Sequence, residues 1–179
     1  TCSMPPRFLD LEIIPTPRYS MMCLLPSTRI VVISSPARAH PSTEIVWQTL
    51  HSLKLLGFDK SAPITVVCDG CRPASSLEEG YRSRLQSRLA SNPCKFSKRG
   101  IVSDEVAANY EEYKSRLECE ALGAGYTGMS FLHMESHGGF AMAVKAGLES
   151  AKAGGEAHAL IVQHDRAFCR RVPRAVLHD

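Results

Sequence analysis

The sequence lacks any run of 18 consecutive apolar residues, which excludes a membrane-spanning helix of ordinary length. Its first ten residues, TCSMPPRFLD, contain no initiator Met and no charged segment followed by a long apolar stretch. From this start we expect either that a targeting segment has been removed or that the sequence is a fragment of a longer chain.

A framework of closely paired cysteines is also missing. The seven cysteines form an odd number and are spread along the chain, which is untypical of a disulfide-stapled secreted scaffold. We therefore expect reduced thiols and an intracellular or organellar compartment. The net charge is only +3, so the composition weakly favours anionic ligands and does not indicate nucleic-acid binding.

Several common functional motifs are absent. There is no GxxxxGK[ST] phosphate loop and no GxSxG nucleophile elbow. Gly123, Gly125 and Gly128 have the GxGxxG spacing, but they mark the exit loop of a predicted helix and do not join a strand to a helix as a dinucleotide-binding loop does. Cys68 and Cys71, with His133 and His137, are zinc-type ligands, but the two pairs are too far apart in sequence for zinc-finger spacing. We expect these residues to be structural cysteines and satisfied histidines.

What is present is enough for one globular domain, since the chain has 179 residues of which 44% are hydrophobic. Residues 1–28 contain five prolines, which predict an extended arm. The arm either covers the domain or binds another protein subunit. Residues 29–179 carry the regular pattern of a folded domain.

Short, continuous apolar runs rich in β-branched residues predict buried strands at 30–33, 64–67 and 159–162, and residues 129–134 predict a further short strand. Apolar residues at helical spacing predict helices over 44–56, 104–121 and 140–151, and residues 77–90 indicate a polar, Arg-rich helix. Alternating strands and helices indicate a mainly parallel sheet with helices on both faces. We therefore predict an α/β, Rossmann-like, three-layer α/β/α sandwich.

Sheets of this kind bind ligands at the carboxyl ends of their strands. The first strand ends in Ser34, Ser35 and Pro36, and the nearby Arg38 is either a phosphate ligand or a surface residue. The second ends in Asp69, whose carboxylate either binds a ribose or a base edge or belongs to an ordinary Asp-Gly turn.

The other two strand ends carry a glycine pair and a charged triplet. Gly138 and Gly139 precede a helix, where free N–H groups form either an anion site or a tight turn. Asp165, with His164, is a candidate ligand for Mg²⁺ or Mn²⁺ bridging a diphosphate. The alternative is a surface ion pair between Asp165 and Arg166.

Five segments resemble the GT-A fold of family-two glycosyltransferases in their order and spacing. They are the strand end 34–36 (SSP), the helix segment 49–53 (TLHSL), the strand end 66–70 (VVCDG), the segment 137–148 (HGGFAMAVKAGL) and the strand end 160–165 (LIVQHD). The resemblance covers residues 29 to about 170. It implies a nucleotide-sugar donor and a divalent metal, Mg²⁺ or Mn²⁺, beside the diphosphate. The predicted nucleotide-binding residues are Ser34, Ser35, Pro36, Arg38, Asp69, Gly138 and Lys145, and the predicted metal ligands are Asp165 and His164.

The sequence departs from that family in three ways. Gln163 stands in place of the first Asp of the metal motif, and Lys145 in place of a usual Asn or Arg. The family's acceptor site and catalytic base lie farther along the chain than Asp179, so no catalytic residue is assigned. We expect metal-assisted glycosyl transfer from a nucleoside-diphosphate sugar. The alternative is an inactive, GT-A-like structural or interaction subunit of a larger assembly.

Overall fold

The computed structural model of the protein describes residues 27–37, 39–80, 82–83 and 100–169. The predicted arm, except for its last two residues, therefore lies outside the described residues, as does Arg38. Most of the helix predicted over 77–90 also lies outside them.

The sequence folds into alternating strands and helices, as its apolar pattern predicts. Within the described residues these are β1 (Thr28–Ser34), α1 (Glu44–Ser52), β2 (Ile64–Cys68), β3 (Arg72–Pro73), β4 (Ile101–Val102), α2 (Asp104–Gly123), β5 (Met129–His133), α3 (Gly139–Ala153) and β6 (His158–Gln163). A short 3-10 turn extends α1 from Leu53 to Leu56. None of the described helices is long and apolar enough to cross a bilayer.

Four of the strands form one parallel sheet in the order β5-β2-β1-β6. The register pairs Val32 of β1 with Val66 of β2 and with Val162 of β6. The short strands β3 and β4 form a separate parallel pair. The prediction of an α/β, Rossmann-like fold with a mainly parallel sheet is confirmed.

The helices cover both faces of the sheet. The chain moves from β1 to β2 to β5 in one direction and then returns to place β6 on the other side of β1. Right-handed crossovers therefore place α1 and α2 on one face and α3 on the opposite face. Accordingly, Val32 packs in one core cluster with Trp47 and Tyr113, whereas Val31 packs in a second cluster with Ala143.

The packed side of α3 is narrower than the sequence predicts. Ala143, Gly147 and Ala151 are buried, as expected, but Phe140 and Leu148 are about half exposed. A Cβ atom at Gly147 would clash with Val31. The helix backbone therefore approaches the sheet closely along its small residues, and the larger side chains on either side project away from it.

The ends of the helices differ in how well the sequence predicts them. Ser103 caps α2 as expected, because its hydroxyl oxygen accepts a hydrogen bond from the Val106 N–H at 3.2 Å. Thr43 precedes α1, but its hydroxyl makes no cap and instead donates to Glu120 at 2.6 Å. Leu122, near the end of α2, is exposed.

Candidate functional site

A cavity of about 290 Å³ lies at the carboxyl ends of β1, β2 and β6. The chain leaves β1 toward β2, while β6 lies on the other side of β1, so the strand order reverses at this place. The crevice at such a reversal is where doubly wound sheets bind ligands. The described residues that line it are Ile33, Ser35, Asp69, His137, Gly139, Phe140, Gln163, His164 and Asp165.

On the β2 side, the carboxylate of Asp69 is 3% exposed and fully engaged by protein groups. One oxygen accepts a hydrogen bond from the Gly138 N–H at 2.9 Å. The other accepts from the Gly139 N–H at 3.2 Å and lies 2.7 Å from Nδ1 of His137. The two N–H groups predicted as an anion site are therefore used by the protein's own carboxylate, which caps the start of α3.

Gly70 lets this loop approach the end of β2. A Cβ at position 70 would lie 2.5 Å from the carbonyl carbon of Ser136 and 2.7 Å from the carbonyl oxygen of Met134. The Met134 N–H also donates to the Cys68 carbonyl at 3.0 Å. Asp69 and Gly70 therefore connect the end of β2 to the loop that follows β5. An ordinary Asp-Gly turn, which the sequence also allows, would not make this connection.

On the β6 side, Asp165 and His164 face the same cavity. The carboxylate of Asp165 is 54% exposed, and the guanidinium of Arg166 lies 3.9 Å away. An exposed ion pair of this length contributes little to stability. Asp165 therefore keeps its oxygens accessible to a ligand or a cation.

A buried stack of aromatic rings lies next to His164 on this side of the cavity. The His40 ring lies 4.0 Å from the Tyr113 ring and 6.0 Å from the His164 ring. Its Nδ1 accepts a hydrogen bond from the Ala37 N–H at 3.1 Å. Burial, assisted by the nearby His164, lowers the pKa of His40 to about 4. His40 is therefore neutral at pH 7, and it holds the loop that follows β1.

The predicted nucleotide-binding residues of the first strand end do not all reach the cavity. Ser35 lines it, but Ser34 is fully buried and its hydroxyl donates to the Tyr113 hydroxyl at 3.2 Å. Pro36 is buried. Lys145 is an exposed residue of α3, 3.8 Å from Glu149, and is not among the described residues of the cavity wall.

Three residues of the cavity wall are not assigned to a ligand site by the sequence pattern. The helical spacing of Phe140 predicts the packed side of α3, His137 counts among the expected satisfied histidines, and Gln163 is notable only for the Asp it replaces. Gln163 is the last residue of β6, His137 lies in the loop after β5, and Phe140 follows the glycine pair. The sequence feature that could have identified these residues is their position close to the end of a strand. For Phe140, the helical spacing instead favours a packed residue of α3.

No group of three or more His, Cys, Asp or Glu side chains in the described parts of the chain is arranged to hold a metal ion. Burial raises the pKa of Cys68 to about 12 and also raises the pKa of Cys71. The thiolates that zinc requires are therefore disfavoured. None of the four cysteines in the described parts of the chain, Cys68, Cys71, Cys119 and Cys169, forms a disulfide.

No protein-family model matches the sequence, and no curated protein or solved structure is significantly similar to it. The resemblance to family-two glycosyltransferases therefore stays a prediction drawn from the motifs. Function in this chain is inferred from those motifs, from its fold and from the geometry of its cavity.

Proposed function

We propose that the cavity binds a nucleoside-diphosphate sugar and that the chain is the donor-binding domain of a glycosyltransferase. The observation that carries the proposal is the position of the cavity, at the strand reversal of a parallel sheet. There, the segments that follow β1, β5 and β6 bring Ser35, His137, His164 and Asp165 to one crevice. The order of the glycosyltransferase-like motifs along the chain supports the same proposal.

The wall residues offer complementary contacts to such a ligand. Phe140 is about half exposed and presents an aromatic face on which a flat ring can stack. Ser35 and Gln163 offer a hydroxyl and an amide for hydrogen bonds to hydroxyl groups. Asp69 holds Gly139, and so the start of the helix that carries Phe140, in position.

The donor set fits a divalent metal only when the metal arrives with the diphosphate. Mg²⁺ in proteins commonly uses one or two carboxylates and takes its remaining ligands from phosphates and water. Asp165 supplies one accessible carboxylate, which is enough for that mode of binding. When bound, the ion would neutralise charge that develops on the leaving diphosphate.

Thermal unfolding in the presence of a nucleoside diphosphate and Mn²⁺ tests the proposal. At a ligand concentration 100-fold above Kd, we expect stabilisation by about 2.7 kcal/mol, or about 5–10 °C for a domain of this size. Mn²⁺ alone should give no shift, and Asp165→Ala should lose the metal-dependent part. Glu149→Ala removes an exposed carboxylate of α3 outside the cavity and should behave as wild type.

UDP, GDP, UDP-glucose and GDP-mannose should be tried in turn. If none of them raises the melting temperature of the wild-type chain, the proposal fails. If they do so equally in Asp165→Ala, the metal assignment fails while nucleotide binding stands.

The second candidate is a non-catalytic interaction module, and one observation favours it. Phe140, Met142 and Leu148 of α3 are large apolar residues that are each about half exposed. Such residues are enriched at protein interfaces. A stable stoichiometric complex in native purification, without nucleotide binding, would support this function. A monomer that binds nucleotide would exclude it.

A further inference from the structure

His164 is held by the protein at three of its polar atoms. Its backbone N–H donates to the Ile33 carbonyl at 3.0 Å, and its backbone carbonyl accepts from the Thr49 hydroxyl at 2.7 Å. Its ring Nδ1 lies 3.2 Å from the same Ile33 carbonyl. Both the main chain and the imidazole are therefore fixed in orientation before any ligand arrives.

The contact with Ile33 determines which ring nitrogen carries the proton. A carbonyl oxygen can only accept hydrogen bonds, so Nδ1 must donate and must carry hydrogen. In a neutral imidazole the other nitrogen, Nε2, is then an acceptor. His164 lines the cavity, and its Nε2 has no hydrogen-bond partner among residues 27–37, 39–80, 82–83 and 100–169.

The ring is also held among other rings, since the centroid of the His40 ring lies 6.0 Å from that of His164. Because Nδ1 is used internally as a donor, Nε2 is the ring nitrogen that remains for a ligand.

We propose that His164 presents an unprotonated Nε2 to the cavity, where it accepts a hydrogen bond from a hydroxyl group of the bound ligand. The proposal rests on the proposed function for the identity of that ligand, a nucleotide sugar, whose hydroxyl groups come from the ribose or from the transferred sugar. It also separates His164 from Asp165, because hard cations such as Mg²⁺ prefer oxygen ligands. Asp165 would hold the metal beside the diphosphate, and His164 would accept a hydrogen bond from a hydroxyl.

The tautomer can be read directly in the free protein by NMR of the ¹⁵N-labelled imidazole at pH 7. The pattern of two-bond correlations distinguishes a ring protonated at Nδ1 from one protonated at Nε2 and from an imidazolium. We expect the Nδ1–H form for His164, with its resonances assigned by their loss in His164→Asn. An Nε2–H form or an imidazolium would overturn the proposal without any ligand being involved.

A matched pair of variants tests the role of Nε2 in binding. The Asn side chain of His164→Asn places an amide N–H where Nδ1 lies and leaves nothing at Nε2. We therefore expect wild-type thermal stability and nucleotide-sugar binding weakened by about 3- to 10-fold, the usual effect of one neutral hydrogen bond. His164→Gln places an amide oxygen near Nε2 but loses the Ile33 contact. It should retain more of the affinity than His164→Asn while being less stable.

Calorimetric titrations with UDP, GDP, UDP-glucose and GDP-mannose separate the two sources of the hydroxyl. A deficit of His164→Asn for the diphosphates themselves assigns the ribose, and a deficit confined to the nucleotide sugars assigns the transferred sugar. Either result supports the proposal. Equal affinities of wild type and His164→Asn overturn it, even though the proposed function then stands. If the wild type binds none of the four, the proposed function fails, and the tautomer measurement alone decides the state of His164.

Discussion

The two aspartates of the cavity wall follow parallel strands of the same sheet, yet the protein treats them in opposite ways. Asp69, after β2, is 3% exposed and has both oxygens engaged by His137, Gly138 and Gly139. Asp165, after β6, is 54% exposed and has one cation nearby at 3.9 Å. One side of the cavity is therefore closed by its own contacts, and the other is open to a ligand.

The position of each strand in the sheet explains the difference. β2 lies between β1 and β5, so the loop that follows β5 packs directly over Asp69. β6 is at the edge of the four-stranded sheet and has a neighbour, β1, on one side within the described part of the chain. A polar residue at the end of an inner strand is thus recruited to hold loops, whereas one at the end of an edge strand stays available.

Asp69→Asn should have the largest effect on stability. The amide keeps the size of the side chain but has one acceptor oxygen in place of two, so at least one N–H at the start of α3 loses its acceptor and His137 loses its charged partner. We expect a loss of about 2–4 kcal/mol, typical of breaking one member of a buried polar network. Urea unfolding at pH 7 measures it.

Asp59→Asn is the control, since Asp59 is an exposed aspartate whose carboxylate likewise accepts hydrogen bonds from nearby groups, here the N–H and hydroxyl of Ser61. Asp59→Asn should lower the free energy of unfolding by much less than Asp69→Asn does. If the two variants were equally stable, Asp69 would not close its side of the cavity in the way that the contacts indicate.

The buried His40, which lies near His164 on the open side of the cavity, predicts that the stability of the protein depends on pH. The pKa of His40 is lowered to about 4 from 6.5 by burial and by His164. The unfolded chain therefore binds a proton at His40 below pH 6.5, while the folded chain does so only near pH 4. The free energy of unfolding therefore has its full value above pH 6.5. As the pH is lowered toward 4, the titration of His40 reduces it by up to about 2–3 kcal/mol.

His40→Phe isolates that effect, because it keeps an aromatic ring against Tyr113 but cannot titrate. It removes the acceptor for the Ala37 N–H and should be less stable than wild type at pH 7. Its stability should nevertheless decline less than that of the wild type between pH 6.5 and 4. Parallel pH profiles would show that burial of His40 does not make stability depend on pH.

Gly70→Ala tests the closed side by packing, without changing any charge. The added methyl group would press on the backbone of Ser136 and Met134, which cannot rotate away as a side chain could. We expect destabilisation by about 1–3 kcal/mol, the usual cost of overpacking. The measurement is again urea unfolding, with Gly80→Ala as the control, because nothing lies within 4 Å of a Cβ at that position.

The fold was predictable from the sequence, because β-branched runs such as 30–33 and 64–67 indicate buried parallel strands without reference to their neighbours. For the site, the sequence predicted its location at the strand ends but not which of its side chains are accessible to a ligand. Asp69 and Asp165 both follow buried strands, and the sequence contains no sign that one is saturated by backbone N–H groups from a loop almost 70 residues away. Ser34 shows the same limit, since side chains alternate between the faces of a strand and its hydroxyl points to Tyr113.

Asp165→Asn should have the smallest effect on stability and a large effect on binding. The side chain is exposed and its contact with Arg166 is long, so we expect a change within about 0.5 kcal/mol in urea unfolding. The amide oxygen is a weaker ligand for Mn²⁺ than a carboxylate, so the metal-dependent shift in melting temperature should be lost. Both variants replace one cavity-lining aspartate by its amide. Asp69→Asn is nevertheless expected to be much less stable than wild type, whereas Asp165→Asn should keep the stability of wild type. If Asp165→Asn instead unfolded as readily as Asp69→Asn, the open side of the cavity would be a structural contact, and the edge position of β6 would not explain its exposure.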